Sequence, residues 1–325
     1  TIPFLLLLGL VFVPFGVVLL TTSHRVVEYN FDYTECQEKA PVGNFADSGS
    51  GFQWRREPAS SKGPAKCIIR FTVDKRMSQP VFLYYQLSNF YQNNRLFAKS
   101  VSYDQLMGKA VKREDLRECE PLVGPKDDPK GRVYYPCGLV ANALFADTIE
   151  VTGMSFTTNG IAWKYDQRLF RPTSYKTEQV VAPPDWVRYG LEGVNSDGTY
   201  SRLPDLSKDE RFQNWMRIAG LPTFRKLYGR YEGPLAGGRE LEIVIGDRYE
   251  VRKFDGRKAV VLSTASWMGG KNDFLGIAYI VVGGILVLLG LGFLLKHLLA
   301  PRMLGDVRYL SWHGNAVNTN RTRRV

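Results

Sequence analysis

The chain has 325 residues, of which 44% are hydrophobic and 23% charged, with a formal net charge of +11. These proportions suit a folded protein and exclude wholesale disorder, and a mean hydropathy of −0.20 excludes a many-span transporter. The only histidines are His24, His297 and His313, which removes histidine metal sites and histidine-based triads from residues 25 to 296.

Thr1 to Leu20 contain no charged side chain. At a rise of ~1.5 Å per residue such a run crosses a bilayer's hydrocarbon core of about 30 Å. We therefore read residues 1–22 as a first transmembrane helix. A secretory signal peptide is one alternative, but its apolar region is usually only about 7–15 residues, and no A-x-A-like cleavage site follows here. Buried helices of a soluble protein are another, for this run and for its counterpart near the C-terminus, but buried helices of that length rarely lack every charge. The chain opens on Thr1, inside the apolar run and without a Met, so a cytoplasmic leader is expected to precede it in the full protein. Gly9 and Gly16 are seven residues apart, nearly two turns, and so share a helix face.

Residues 23–273 read as one large domain. All four cysteines, Cys36, Cys67, Cys119 and Cys137, fall within it. An even count in an oxidising compartment reads as two disulfides, with three possible pairings. Cys36–Cys67 with Cys119–Cys137 is preferred, because the second bridge closes the excursion PLVGPKDDPKG, which cannot build a core of its own. Each closed loop is worth about 3 kcal/mol in the loop-entropy account. Asp127-Asp128 inside that excursion reads as a solvated turn. A zinc site is the rival reading, but the sequence has no C-x-x-C and no histidine nearby.

The segments CIIRFTV (Cys67 to Val73), PVFLYYQLSNFYQN (Pro80 to Asn93), GRELEIVIGDRYEV (Gly238 to Val251) and KAVVLSTAS (Lys258 to Ser266) are rich in β-branched and aromatic residues and predict strands. In the third, Leu241, Ile243 and Ile245 recur at period two, with Glu240 and Glu242 on the other face. Asp255-Gly256, between the last two, predicts a hairpin turn. SKDERFQNWMRIAG breaks the pattern: Phe212, Trp215, Met216 and Ala219 share one helical face, which reads as core packing. Ser207 is expected to cap that helix with Glu210 completing a capping box, and Gly220 and Pro222 to end it. Long connections rich in Pro, Gly and Ser remain at residues 38–66 and 171–206, and no internal repeat is visible. The expected fold class is mainly β with some α: two transmembrane helices flanking one disulfide-bonded antiparallel β domain with long loop excursions.

Phe274 to Leu295 form a second uncharged run, read as a transmembrane helix over residues 274–297 with a tail over 298–325. Gly276, Gly283 and Gly290 are spaced by seven and line one face, where small residues let another helix approach closely in lipid. Lys296, Arg302, Arg308, Arg321, Arg323 and Arg324 face the single Asp306, so this end carries a net +5. Such a tail belongs on the cytoplasmic side, and two spans then place the N-terminus there too. The remaining charge, about +6 over the domain, is too mild for a nucleic-acid stripe or a polybasic lipid clamp.

Catalytic signatures are missing. The sequence has no G-x-x-x-x-G-K-[ST], G-x-S-x-G or H-E-x-x-H, each of which encodes a specific chemistry. Its carboxylates could in principle supply a glycosidase pair. The uncharged runs lack the polar residues that a pump or channel pathway normally carries. We expect no catalytic residue, no metal and no cofactor.

Seven stretches carry a family resemblance: NFYQNNR (Asn89 to Arg95), YPCGLVANALFADT (Tyr135 to Thr148), IAWKYDQRLF (Ile161 to Phe170), PPDW (Pro183 to Trp186), FQNWMRIAGLPTFRKLYG (Phe212 to Gly229), GGKNDFLG (Gly269 to Gly276) and PRMLGDVRYL (Pro301 to Leu310). In this order, over nearly the whole chain, they resemble the cell-division-control protein 50 or ligand-effect modulator family. Its members are the non-catalytic β-subunits of type-IV P-type ATPases, the phospholipid flippases. The four cysteines are similar to that family's two neighbouring disulfides. The resemblance implies that a separate ten-span ATPase binds ATP and moves lipid, while this chain stabilises it, escorts it from the endoplasmic reticulum and holds it in a competent state. Residence in the endoplasmic reticulum, Golgi, endosomes or plasma membrane follows.

That reading implies contact with the ATPase in three layers. In the lumen the candidates are Asn89, Phe90, Tyr91, Gln92 and Asn93, with core packing of Phe90 and Tyr91 as the alternative. In the bilayer the candidate is the face of Gly276, Gly283 and Gly290. In the tail they are Pro301, which stops the helix, Arg302, which can pair with a carboxylate, Gly305 and Asp306; for Arg302 a simple topology anchor is the alternative. One departure from the family pattern is visible: the sole N-x-[ST] sequon, Asn320-Arg-Thr, lies in the tail, whereas these subunits are typically N-glycosylated in the lumenal domain. The main rival reading is a subunit of a two-span ligand-gated channel, which shares the topology. A carbohydrate-acting lumenal enzyme is a third.

Overall fold

The computed structural model describes residues 2–60, 63–126, 128–265 and 269–300. The chain divides into two compact units, one made of residues 1–25 and 271–325 and the other of residues 26–270.

In the first unit, α1 (Ile2–His24) and α2 (Asp273–Leu299) are 23 and 27 residues long. Both are long and apolar enough to cross a membrane. Asn272 starts α2, its side chain accepting the Phe274 N–H at 3.1 Å, and Asp273 follows in the first turn, where a negative charge suits the helix dipole. At the other end, Lys296 and His297 occupy the last turn.

Among its described residues the second unit carries eleven strands: β1 (Glu28–Asp32), β2 (Ala46–Asp47), β3 (Gln53–Glu57), β4 (Lys66–Thr72), β5 (Val81–Ser88), β6 (Val133–Tyr134), β7 (Thr148–Val151), β8 (Val180–Val181), β9 (Phe224–Tyr231), β10 (Glu240–Gly246) and β11 (Arg257–Thr264). They form an antiparallel sheet of order β1-β11-β5-β9, a second antiparallel sheet of order β2-β3-β4-β10-β7, and the small parallel pair β6-β8. The alternation expected from sequence is realised: Leu241, Ile243 and Ile245 of β10 are buried, as are Val81, Leu83, Tyr85 and Leu87 of β5. Those inward faces, from both sheets, join one core. Phe31 of β1 meets Phe71 of β4 with ring centroids 4.4 Å apart. Central β11 is buried on both faces, so it reads as a near-continuous apolar run rather than an alternating one.

Four local expectations are corrected. Asp255-Gly256 makes no hairpin, because β10 and β11 belong to different sheets. Asp255 instead adopts a left-handed φ of 51° after the short turn Arg252–Phe254, where the chain crosses between sheets. The helix in SKDERFQNWMRIAG spans only Glu210–Met216, and its cap is Asp209, which accepts the Phe212 N–H. Ser207 bonds to Asp205 instead, and Ala219 lies beyond the helix. Asp128 is no free turn: its carboxylate grips the Arg132 guanidinium at 2.9 Å, and that hydrogen bond lowers it to about 2. Asp127 lies outside the described residues. The strand expected through Asn93 ends at Ser88, since Asn89 has φ 58°, a left-handed conformation that leaves the ladder.

Candidate partner-binding surfaces

In the helical unit the glycines act as a seam. A Cβ added at Gly276 would sit 2.9 Å from Leu20 Cβ, one at Gly283 would sit 2.9 Å from Phe12 Cβ, and one at Gly290 would sit 2.7 Å from Leu6 Cδ2. Reciprocally, a Cβ at Gly9 would meet the Gly283 carbonyl at 2.8 Å, and one at Gly16 the Gly276 carbonyl at 2.8 Å. The close approach that small residues permit in lipid is thus made by α1 and α2 with each other. On the face of Gly276, Gly283 and Gly290, where a helix of the partner was expected, the chain's own first helix packs. A polar clasp fixes the register. Buried Ser23 donates to the Asp273 carboxylate at 2.5 Å and accepts the Asn272 N–H at 2.9 Å. Tyr279 takes the rings of Phe12 and Phe15 edge-on, both at 5.2 Å. Pro301, Arg302, Gly305 and Asp306 lie outside the described residues.

The five residues Asn89 to Asn93 form a corner after β5 and do different work. Asn89 Nδ2 donates to the Phe254 carbonyl at 2.6 Å, and Asn93 Nδ2 to that of Gly220 at 3.0 Å. Gln92 is fully buried and its Oε1 accepts the Ala219 N–H at 2.8 Å. Phe90 packs among Phe97, Trp215, Phe224 and Phe254. Only Tyr91 turns a large apolar side chain outward, 56% exposed. Four of the five therefore hold the corner's shape, and Tyr91 is the one that presents an exposed apolar ring.

The two disulfides are Cys36–Cys67 and Cys119–Cys137. The first ties the segment after β1 to β4, thus joining the two sheets. The second closes the 119–137 excursion, and Ser100 backs it, its hydroxyl bonding the carbonyls of Cys119 and Glu120 and accepting the Leu139 N–H.

A buried ionic cluster escaped the sequence reading. Lys258 Nζ lies 2.8 Å from Asp147 and 2.5 Å from Asp247, and also donates to the Tyr249 carbonyl. Asp147 further accepts the Tyr33 hydroxyl and the N–H groups of Arg248 and Tyr249. Burial alone pushes the Lys258 ammonium down, but the two carboxylates outweigh it and hold it above its ordinary value. Burial lifts the Asp247 carboxyl above its ordinary value in spite of Lys258. Burial, with Asp147 beside it, raises the Tyr33 phenol well above its own. A lysine inside the apolar KAVVLSTAS run was the available signal. Every polar partner here is internal, so the cluster is a core device rather than a binding site.

A second arrangement sits around the helix Glu210–Met216. Glu210 accepts three consecutive N–H groups, of Gly160, Ile161 and Ala162, and so pins the loop that presents Trp163. The Arg217 guanidinium rests 4.3 Å above the Trp163 ring and pairs with Asp166 at 3.2 Å. Lys226 donates to the carbonyls of Asn214, Trp215 and Arg217 at the helix's C-terminal end. Burial, helped by Arg217, lowers its ammonium to about 8. Trp163, Tyr165 and Arg217 stay exposed, a combination typical of protein-contact surfaces.

The sequence profile described as the LEM3 (ligand-effect modulator 3) family / CDC50 family matches residues 19–303. The chain belongs to the CDC50 family. It is similar to "ALA-interacting subunit 3" of Arabidopsis thaliana, with 39% identity over 95% of this chain and 83% of that protein. It is similar to the "Phospholipid-transporting ATPase accessory subunit CDC50" of Chaetomium thermophilum, with 35% identity over 94% and 84% respectively. It is also similar to "Cell cycle control protein 50A" of Bos taurus, with 35% identity over 89% and 80%. The CDC50 match takes in the last residues of α1, the whole of α2, both disulfides and the corner at Asn89 to Asn93. No ion-channel subunit is among these relatives.

Proposed function

We propose that this chain is the accessory β-subunit of a phospholipid-transporting P-type ATPase and is not itself an enzyme. The observation that carries the reading is the family match over residues 19–303, together with relatives named as accessory subunits of such ATPases, matched over 84% of their own length. Its role is to stabilise the catalytic subunit, let it leave the endoplasmic reticulum and support phospholipid translocation. Two features of the chain fit that role: an apolar helical pair for the bilayer and a disulfide-bonded β domain suited to an oxidising lumen.

On this reading residues 1–22 and 274–297 span the membrane, residues 23–273 face the lumen or the cell exterior, and residues 298–325 form a cytoplasmic tail. The net +5 of the C-terminal end supports that orientation. The protein would reside in the endoplasmic reticulum, Golgi, endosomes or plasma membrane with its partner. In the tail, Pro301, Arg302, Gly305 and Asp306 are the proposed contacts. Arg302 would offer a planar fork to a carboxylate beside the membrane.

Native co-purification followed by mass spectrometry tests the assignment. A type-IV P-type ATPase should accompany the chain in equimolar amount. Recovery of the chain only as homo-oligomers would overturn it. Protease treatment of sealed vesicles tests the topology: the tail should be clipped from the cytoplasmic side while residues 23–273 stay protected.

A further inference from the structure

In the domain of residues 26–270, exposed apolar area is concentrated on a few segments. Tyr91, Leu96, Tyr103, Trp163, Tyr165 and Leu221 are each more than half exposed. Val42 is the only other large apolar side chain of the domain, among the described residues, that is so exposed. The six belong to three segments that the fold ties together. Asn93 holds the Gly220 carbonyl, Phe90 N–H bonds the Pro222 carbonyl at 3.0 Å, and Arg171 N–H bonds that of Leu106 at 2.9 Å. Arg217 stacks on Trp163. Between these segments runs a groove of about 450 Å³ whose walls include Tyr103, Tyr165, Phe170, Met216 and Ile218. A smaller hollow of about 300 Å³ on the other side of Arg217 and Ile218 reaches Trp163. In the larger groove Gln213 is buried, and its Oε1 has no hydrogen-bond partner.

Charge narrows the choice of occupant. The same segments carry Arg95, Lys99, Lys164, Arg168 and Arg171, all exposed, with no ion pair to any of them among the described residues. Their two carboxylates are already engaged, Asp104 by Lys109 and Asp166 by Arg217. A face that combines exposed aromatic rings and a stacked arginine with five uncompensated cations is complementary to a polypeptide that is apolar at its tip and acidic beside it. A saccharide would use the rings but leave the cations unanswered. A membrane surface would answer the cations but would not enter a groove between the segments.

We propose that this groove, walled by Tyr103 and Tyr165, together with the adjoining hollow at Trp163 across Arg217 and the exposed side chains of Tyr91 and Leu221 on the tied segments, docks an acidic, apolar-tipped segment of the catalytic subunit on the lumenal side. The proposal rests on the accessory-subunit reading above and adds to it a location and a chemistry. Trp163 and Tyr165 supply rigid rings at low entropic cost. Arg217, already oriented by Asp166, presents its guanidinium beside them, and the surrounding lysines and arginines steer the approach.

The test uses the full-length chain co-expressed with its ATPase. Trp163→Ala combined with Tyr165→Ser removes exposed rings only, and intact disulfides with unchanged protease resistance would show that the fold survives. Val42→Ser, an exposed apolar position away from the groove, is the control. We expect the double variant to retain at least tenfold less ATPase on co-purification and Val42→Ser to retain it fully. A photoreactive residue at position 165 should crosslink to a lumenal segment of the ATPase rich in Asp or Glu. Full retention by the double variant, or a crosslink to a glycan or to a second copy of this chain, overturns the docking proposal while leaving the accessory-subunit reading intact. Absence of ATPase with the unaltered chain overturns both.

Discussion

Lys258 and Asp147 hold each other across the core, ammonium to carboxylate at 2.8 Å. Lys258 stands on β11 of one sheet, and Asp147 immediately precedes β7 of the other, so the pair ties the two sheets. Both side chains are almost wholly buried. Lys258→Met removes the single cation and leaves two carboxylates in the core, so a loss of about 3–5 kcal/mol is expected. Denaturant unfolding monitored by tryptophan fluorescence measures it. An unchanged midpoint would show that the pair contributes little.

Asp247 gives this cluster a pH dependence of defined sign. Burial raises its carboxyl in the folded chain, so between that raised value and the ordinary carboxylate range the folded state binds the proton more tightly than the unfolded state. The group's contribution is therefore most favourable in acid and is lost as pH rises through the folded value. Relative to Asp247→Asn, the unaltered chain should gain stability as pH falls from neutral toward 5. Melting curves of both proteins over that range decide it. A difference that shrinks on acidification would contradict the assignment.

The helical pair makes a geometric prediction. With the Gly276 Cβ position only 2.9 Å from Leu20 Cβ, a small relaxation gives the separation of about 3.8 Å that a disulfide needs. The double variant Leu20→Cys with Gly276→Cys should therefore crosslink spontaneously in native membranes. Adding Gly283→Leu, which drives a side chain into Phe12 and Val13, should abolish the crosslink. A crosslink that persists would mean that the seam is not held at Gly283.

Much of this architecture was legible in the sequence because it follows from periodicity and composition. The two uncharged runs, the period-two burial of Leu241, Ile243 and Ile245, and the bridge closing the 119–137 excursion are local signals, and each appears in the fold. What escaped depends on distant partners. Asp255-Gly256 has hairpin chemistry, yet β10 pairs with β4 and β7 while β11 pairs with β1 and β5. Glu210 has capping-box spacing, but three N–H groups some fifty residues upstream claim its carboxylate. The glycine spacing correctly announced a close helix contact and could not say whose helix makes it, since α1 lies more than 250 residues away in sequence. The Asn89 to Asn93 corner was ambiguous for the same reason: Phe90 and Gln92 are buried by residues 215–254, which nothing near position 90 announces.

The central claim is that this chain enables a catalytic partner to fold, travel and work, and lipid uptake measures it most directly. Cells depleted of the chain should retain the ATPase in the endoplasmic reticulum and lose ATPase-dependent inward movement of a fluorescent phospholipid. Re-expression of the chain should restore both. The account is contradicted if the ATPase reaches its destination and moves lipid at the same rate without the chain.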